Sequence, residues 1–337
     1  MRIRLFSVDN SYIQNYHLCM FSFANIKQYK KILLLFLLIV FASSIIAPVV
    51  KVFLDSFLPS NSFFVNLLDY EDGHYNFARV MRRIIMAVAI LCIFLLRKSL
   101  MFPSFGTIGL KPGKGCWQKL QIGFLISTGM CILYFAFLYF YGIVTFEIET
   151  MSPGSLIGKV FTLIIIAVVV GGVEEFIFRG FILQSILRDT KVLFAVCFCS
   201  MFYALLHFFK ANSLVTPGFQ PFIGFIVVYQ SFANIILTIA ETLPLIIGLF
   251  IVGVVLSYAY LKTNSLYLSI GLHAGWIFFI KANRLFFDFV DSESGWLFGD
   301  RNLINGIMGW SFLIVTLLIV HFITKRLHNG KNAARTC

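Results

Sequence analysis

Apolar side chains run along this chain in long blocks with few polar interruptions. They fall at 32–50, 84–96, 121–144, 157–187, 192–209, 222–240, 243–261, 265–280 and 307–324. Strict polar/apolar alternation, the mark of a membrane β-barrel, is absent from them. A backbone in lipid must satisfy its own hydrogen bonds, and a continuous apolar block does that as a helix. The pattern therefore predicts an all-α fold: a polytopic membrane helical bundle of about eight transmembrane helices. Block 222–240 is set apart from the other eight. It holds Gln230 and Asn234 and is bracketed by Glu241 and Pro244, so it reads as re-entrant or interfacial. Block 84–96 is short for a span. Arg82, Arg83, Arg97 and Lys98 at its ends can snorkel and lengthen its reach. The first block, behind Lys30 and Lys31, resembles a signal peptide, but the rest of the chain is equally apolar, which favours an uncleaved span. Met20 is a candidate alternative start.

The charges between the blocks give the sidedness. The N-terminal stretch, loop 97–120, the turn near 188–191, Lys262 and the C-terminal tail are basic. Segments 52–78, 145–158 and 281–305 are acidic or lack excess basic charge. Under the positive-inside rule these alternate correctly for eight spans with both termini cytoplasmic in a multi-pass cell-membrane protein. A ninth span at 222–240 breaks the alternation. Arg79, Arg82 and Arg83 are the one group on the unexpected side.

Composition agrees and narrows the function classes. Of 337 residues, 59% are hydrophobic and 12% charged, with a mean hydropathy of +0.90. A soluble domain carries about 25% charged residues. The net charge of +12 sits mostly in short flanks of apolar blocks, so it signals topology and not nucleic-acid binding. The seven cysteines form no metal-type pair and read as free apolar thiols.

The candidate chemistry lies in Gly171-Gly-Val-Glu-Glu-Phe-Ile-Phe-Arg-Gly180. Ionisable groups in such an apolar run are costly unless paired or used. On a helix Glu175 and Arg179 share a face and can pair, whereas Glu174 points about 100° away from Glu175. Glu174 and His207 are each roughly 25 Å from the turn near residue 190 at 1.5 Å per residue, so antiparallel neighbours bring them to one depth. His273 lies about 14 Å from the turn at 262–264. It reaches the same depth if the turn near 190 projects by about two helical turns. One carboxylate and two imidazoles then converge inside the membrane. A carboxylate in an apolar cavity suits a general base, and an imidazole can carry the proton or face an oxyanion. The same three side chains, Glu174, His207 and His273, could instead ligate a divalent metal such as zinc. An intramembrane histidine also serves simply as a helix–helix hydrogen-bonding residue.

Glu174-Glu175-x-x-x-Arg179, Tyr203-x-x-x-His207 and His273 resemble the three motifs of the CAAX protease and bacteriocin-processing family of intramembrane proteases, also called Abi. Phe105-Gly-Thr-Ile-Gly-Leu-Lys111 is similar to a short segment that often precedes that core. Two positions depart from the pattern. Tyr203 stands where the second motif usually has Phe, and Ile277 stands where the third usually has Asn or Asp. The resemblance implies peptide-bond hydrolysis, with Glu174 activating water, His207 assisting, His273 facing the oxyanion, and Glu175 and Arg179 holding the helix. Tyr203 would support the site, its hydroxyl standing in for the polar group that Ile277 removes. The family has been described both as metalloproteases and as glutamate-based hydrolases.

The organisation that follows is a cytoplasmic tail at 1–31, N-terminal membrane helices at 32–156, a protease-like core at 157–281, and a last transmembrane helix with a basic tail at 282–337. The expected partners are the lipid bilayer and a membrane-embedded or lipid-anchored peptide substrate, with no nucleic acid. The alternative function is a non-catalytic membrane protein of the same fold, acting in bacteriocin immunity or assembly, which Ile277 favours. A proton-coupled transporter is a third reading, but the inverted repeats and broken helices of transporters are missing.

Overall fold

The computed structural model describes residues 26–58, 68, 70–71, 73–96, 105–113, 115–147, 151–208, 218–290, 295–301 and 303–333. The tail up to residue 25, and with it the alternative start at Met20, lies outside the described residues.

The chain is a helical membrane bundle. Its helices are α1 (Gln28–Phe57), α2 (Phe77–Leu96), α3 (Cys116–Phe140), α4 (Pro153–Ile186), α5 (Val192–His207), α6 (Ile223–Leu237), α7 (Ile239–Thr263), α8 (Leu266–Ala282), the short α9 (Gly295–Phe298) and α10 (Ile307–Ala333). Among the described residues, five are long and apolar enough to cross a membrane: α1, α3, α4, α7 and α10 through Arg326. Large side chains that point outward, such as Leu37, Phe41, Leu125, Phe140 and Leu193, are what a lipid-facing surface requires.

The helix α2 starts seven residues before the apolar block that marked it. Arg79, Arg82 and Arg83 lie within its first turns, and they lower hydropathy without opposing helix formation. Arg82 Nε donates back to the Ala78 carbonyl at 3.4 Å. The short α6 packs on the far half of α1, where Gly224 meets the backbone of Ser44 and Val227 joins Ala47, Phe77 and Met81.

Two sets of contacts define the ends of the bundle. At one end the Gln28 amide donates to Asp189 at 2.7 Å, joining the start of α1 to the α4–α5 turn. At the same end Gln184 contacts the Tyr260 hydroxyl, which also donates to the Ile108 carbonyl at 3.3 Å. The Leu266 amide donates to Gly109 at 3.1 Å, so the stretch 105–109 seats on the α7–α8 turn. At the other end β3 (Val144–Phe146) pairs antiparallel with β4 (Phe287–Phe289), Val144 opposite Phe289. A smaller ribbon, β1 (Tyr70–Glu71) with β2 (His74–Tyr75), follows α1.

Small residues set the helix spacing at the centre. A β-carbon on Gly123 would come within 2.7 Å of the Leu272 amide, and one on Gly275 within 2.7 Å of the Phe124 carbonyl. The α3 and α8 backbones therefore touch, as glycines allow in membranes. Gly171 of α4 rests against Ala274 of α8. That contact lies beside both Glu174 and His273 and brings them to one level.

Candidate active site

Four helices, α4, α5, α7 and α8, meet around the carboxylates. The α-helical hydrogen bonding of α4 runs to Glu175, and Phe176–Leu183 then continues as a π-helix. Such widened turns cost regular bonding and gather at functional sites. Here the widened turn carries Arg179.

Glu175 and Arg179 are wholly buried and joined at 2.6 Å. The second guanidinium nitrogen, Nη2, donates to the Gly253 carbonyl of α7 at 3.1 Å. The Tyr203 ring lies 4.8 Å from the guanidinium carbon. A β-carbon at Gly253 would come within 2.7 Å of Ser200, so α5 and α7 are also in backbone contact there. The arginine thus ties α4, α5 and α7 together. A buried pair with further hydrogen bonds of this kind holds geometry, and removing one partner strands a charge.

Glu175 has a second duty that its sequence spacing does not reveal. His273 Nδ1 lies 3.1 Å from the same carboxylate oxygen that binds Arg179. A carboxylate paired to a guanidinium accepts, so Nδ1 carries the proton and donates. The other nitrogen, Nε2, then faces the Tyr203 hydroxyl at 3.2 Å and Glu174 Oε2 at 3.7 Å. In the neutral ring, Nε2 accepts the Tyr203 O–H.

His207 is fixed by its own helix. Its Nδ1 is 2.9 Å from the Tyr203 carbonyl, which can only accept. The Nε2 lone pair of the neutral ring is therefore turned toward Glu174 Oε2, again at 3.7 Å. That carboxylate oxygen is buried and has no hydrogen-bond partner of its own. At 3.7 Å the contacts are too long for hydrogen bonds, and they leave Glu174 Oε2 open to an incoming group. Glu174 is 22% exposed and His207 32%, against 0% for Glu175 and Arg179. One carboxylate is sealed in the structure and the other is accessible.

The cluster lies between two cavities. The larger, about 670 Å³, is lined by His207, His273, Tyr203, Trp276, Ile277 and residues of α3, α7 and α10. The smaller, about 320 Å³, has Glu174 and His207 in its wall with Arg82 and apolar side chains of α1 and α2. His207 belongs to both walls.

Residues 156–279 match the family model described as Type II CAAX prenyl endopeptidase Rce1-like. Over this stretch the chain is similar to CAAX-type endopeptidases. No match was found among curated proteins or among solved structures.

All six residues singled out in the sequence, Glu174, Glu175, Arg179, Tyr203, His207 and His273, are gathered in one cluster, and all six fall within the matched stretch. Sequence reasoning missed the shared use of Glu175, the Gly253 carbonyl and the Tyr203–His273 contact. The Tyr203-x-x-x-His207 spacing was the available signal for the last, because it sets the tyrosine one turn from a histidine already singled out.

The donor set also bears on a metal. A catalytic zinc takes three protein ligands plus water. Glu174 Oε2 has no hydrogen-bond partner, but His273 Nε2 already receives the Tyr203 hydroxyl. Among the described residues no group of three or more His, Cys, Asp and Glu side chains has the arrangement to hold a metal ion.

Proposed function

We propose that the chain is an intramembrane endopeptidase that hydrolyses a peptide bond of a membrane-associated protein or peptide with a water activated by Glu174. The observation that carries this reading is the buried, orphaned Oε2 of the partly exposed Glu174, faced by two imidazole nitrogens at 3.7 Å each. The water docks against that oxygen and Glu174 takes its proton as the hydroxyl attacks the scissile carbonyl. His207 presents the lone pair of Nε2 to the same point, so it can accept the proton and return it to the departing amide nitrogen. The oxyanion is met by His273 Nε2 when that ring carries both protons, and by the Tyr203 O–H, which a protonated Nε2 no longer accepts. Donors of this kind are each worth about 10²–10³ in rate. Glu175 and Arg179 keep the two histidine-bearing helices in register with α4. The similarity to CAAX-type endopeptidases supports a substrate presented in or at the bilayer.

The contacts at the bundle ends support a topology with both termini cytoplasmic. The start of α1, the stretch 105–109, the α4–α5 turn and the α7–α8 turn gather at one end, and these are the basic segments. The β3–β4 end is then extracytoplasmic.

One observation favours the second reading, a non-catalytic membrane protein of the same fold. Ile277 lines the larger cavity one turn past His273, where it offers an approaching carbonyl no hydrogen bond. The test is a cleavage assay in liposomes on a panel of single-span and lipid-anchored peptides, with product termini read by mass spectrometry. Endopeptidase fragments from the wild type support the proposal; intact peptides throughout support the non-catalytic reading.

A further inference from the structure

The larger cavity has a charged end that the hydrolytic cluster does not use. Lys281 and Arg284 both line it, and both side chains are exposed. Among the described residues neither is in an ion pair, and the nearby acid Asp288 is held by Arg301 at 2.6 Å. Between this end and His273 the α8 wall is apolar, made of Trp276, Ile277 and Ile280. The cavity therefore grades from imidazoles, through an apolar stretch, to two cations with no ion-pair partner among the described residues.

These cations lie in segment 281–305, which has no excess of basic charge, so they are not topology signals. They follow α8 and precede β4, at the end away from the basic turns. Positive residues that orient a membrane chain belong at the opposite end. Their place in the cavity wall gives them another use.

We infer that Lys281 and Arg284 form an anion subsite that recognises a carboxylate of the substrate peptide about four to five residues from the scissile bond. The spacing comes from α8 itself. Lys281 follows His273 by eight residues, roughly 12 Å along a helix axis, and Arg284 lies one turn further. An extended peptide covers about 3.3 Å per residue. An acidic side chain and a free C-terminus offer the same carboxylate to the pair. Arginine can grip it through two parallel hydrogen bonds while lysine supplies a mobile point charge. The inference rests on the endopeptidase reading for the phrase "scissile bond", but the binding itself needs no turnover.

The experiment separates the two. Fluorescent peptides are titrated onto the Glu174→Gln variant in phosphatidylcholine nanodiscs, and the same peptides are offered to the wild type for cleavage. One peptide has Glu at the fourth and fifth positions on either side of a central apolar pair, a second has Gln there, and each is made with a free or an amidated C-terminus. The expected result is that the Glu peptide binds at least about fivefold tighter than the Gln peptide. The preference should vanish in Glu174→Gln combined with Lys281→Gln and Arg284→Gln. It should reverse toward a Lys peptide with Lys281→Glu and Arg284→Glu. A preference that follows the free C-terminus instead assigns the terminal carboxylate. Equal binding of all peptides would overturn the subsite. So would equal binding together with a melting temperature that depends on anionic lipid, which would assign the pair to a lipid phosphate. Discriminating binding with no wild-type cleavage would leave the subsite standing and remove the endopeptidase reading.

Discussion

The Tyr203 hydroxyl lies 3.2 Å from Nε2 of His273, reaching from α5 to α8 inside the bundle. Tyr203 is fully buried, so this hydroxyl is aimed at the histidine and not at solvent. With Ile277 one turn from His273 and unable to donate, Tyr203 is the added polar group on this side of the cavity. Tyr203→Phe is expected to lower turnover by about tenfold or more, since one oxyanion donor is lost. Steady-state cleavage with melting temperatures measured in parallel checks this. Full activity in a folded Tyr203→Phe protein would leave the hydroxyl without a role in the reaction.

Ile277→Asn is expected to act in the opposite direction. It places a donor on the cavity wall, and turnover should rise about tenfold or more. In the double variant with Tyr203→Phe the gain should be larger than in the single variant, because the two donors substitute for one another. A wild type without detectable cleavage beside an active Ile277→Asn variant would favour the non-catalytic reading for the natural chain.

Arg179→Ala should lose folded protein more than it loses chemistry. It leaves Glu175 buried and charged with only His273 beside it, a loss of about 3–5 kcal/mol. Detergent melting should fall sharply, whereas Glu174→Gln should melt near the wild type because Glu174 is partly exposed and makes no hydrogen bond through Oε2. Equal loss in both variants would contradict the division between a structural and a reactive carboxylate.

Much of this was legible in the sequence for physical reasons. The Glu175–Arg179 pair follows from helical spacing alone, and the joint depth of Glu174 and His207 follows from counting residues back to their turn, whereas His273 reaches it only if that turn projects. The start of α2 at Phe77 was hidden because Arg79, Arg82 and Arg83 depress hydropathy while leaving helix propensity intact. The Glu175–His273 contact joins residues far apart in the chain, and no local spacing encodes it. The π-helix at Phe176–Leu183, which carries the buried Arg179, was equally silent in the sequence.

Chelation gives a separate check on the donor set. With His273 Nε2 engaged by Tyr203, cleavage is expected to persist within about twofold after exhaustive dialysis against a zinc chelator. Activity that disappears and returns on adding zinc would mean that His273 breaks its contact with Tyr203 to complete a three-ligand site.

Topology is checked by reporter fusions. Fusions at residue 190 and after the last helix should report the cytoplasm, and a fusion within 145–158 should report the other side. A reporter at 145–158 on the same side as the C-terminus would contradict the eight-crossing arrangement.

The central claim is that Glu174 is the base, and Glu174→Gln tests it most directly. The substitution keeps the shape of the side chain and removes its capacity to take a proton from water. Cleavage of the best peptide of the panel should fall to background in liposomes, with melting temperature and peptide affinity unchanged. Cleavage by folded Glu174→Gln at a rate within about tenfold of the wild type would contradict the account, because a general base alone contributes about 10²–10⁴ in rate.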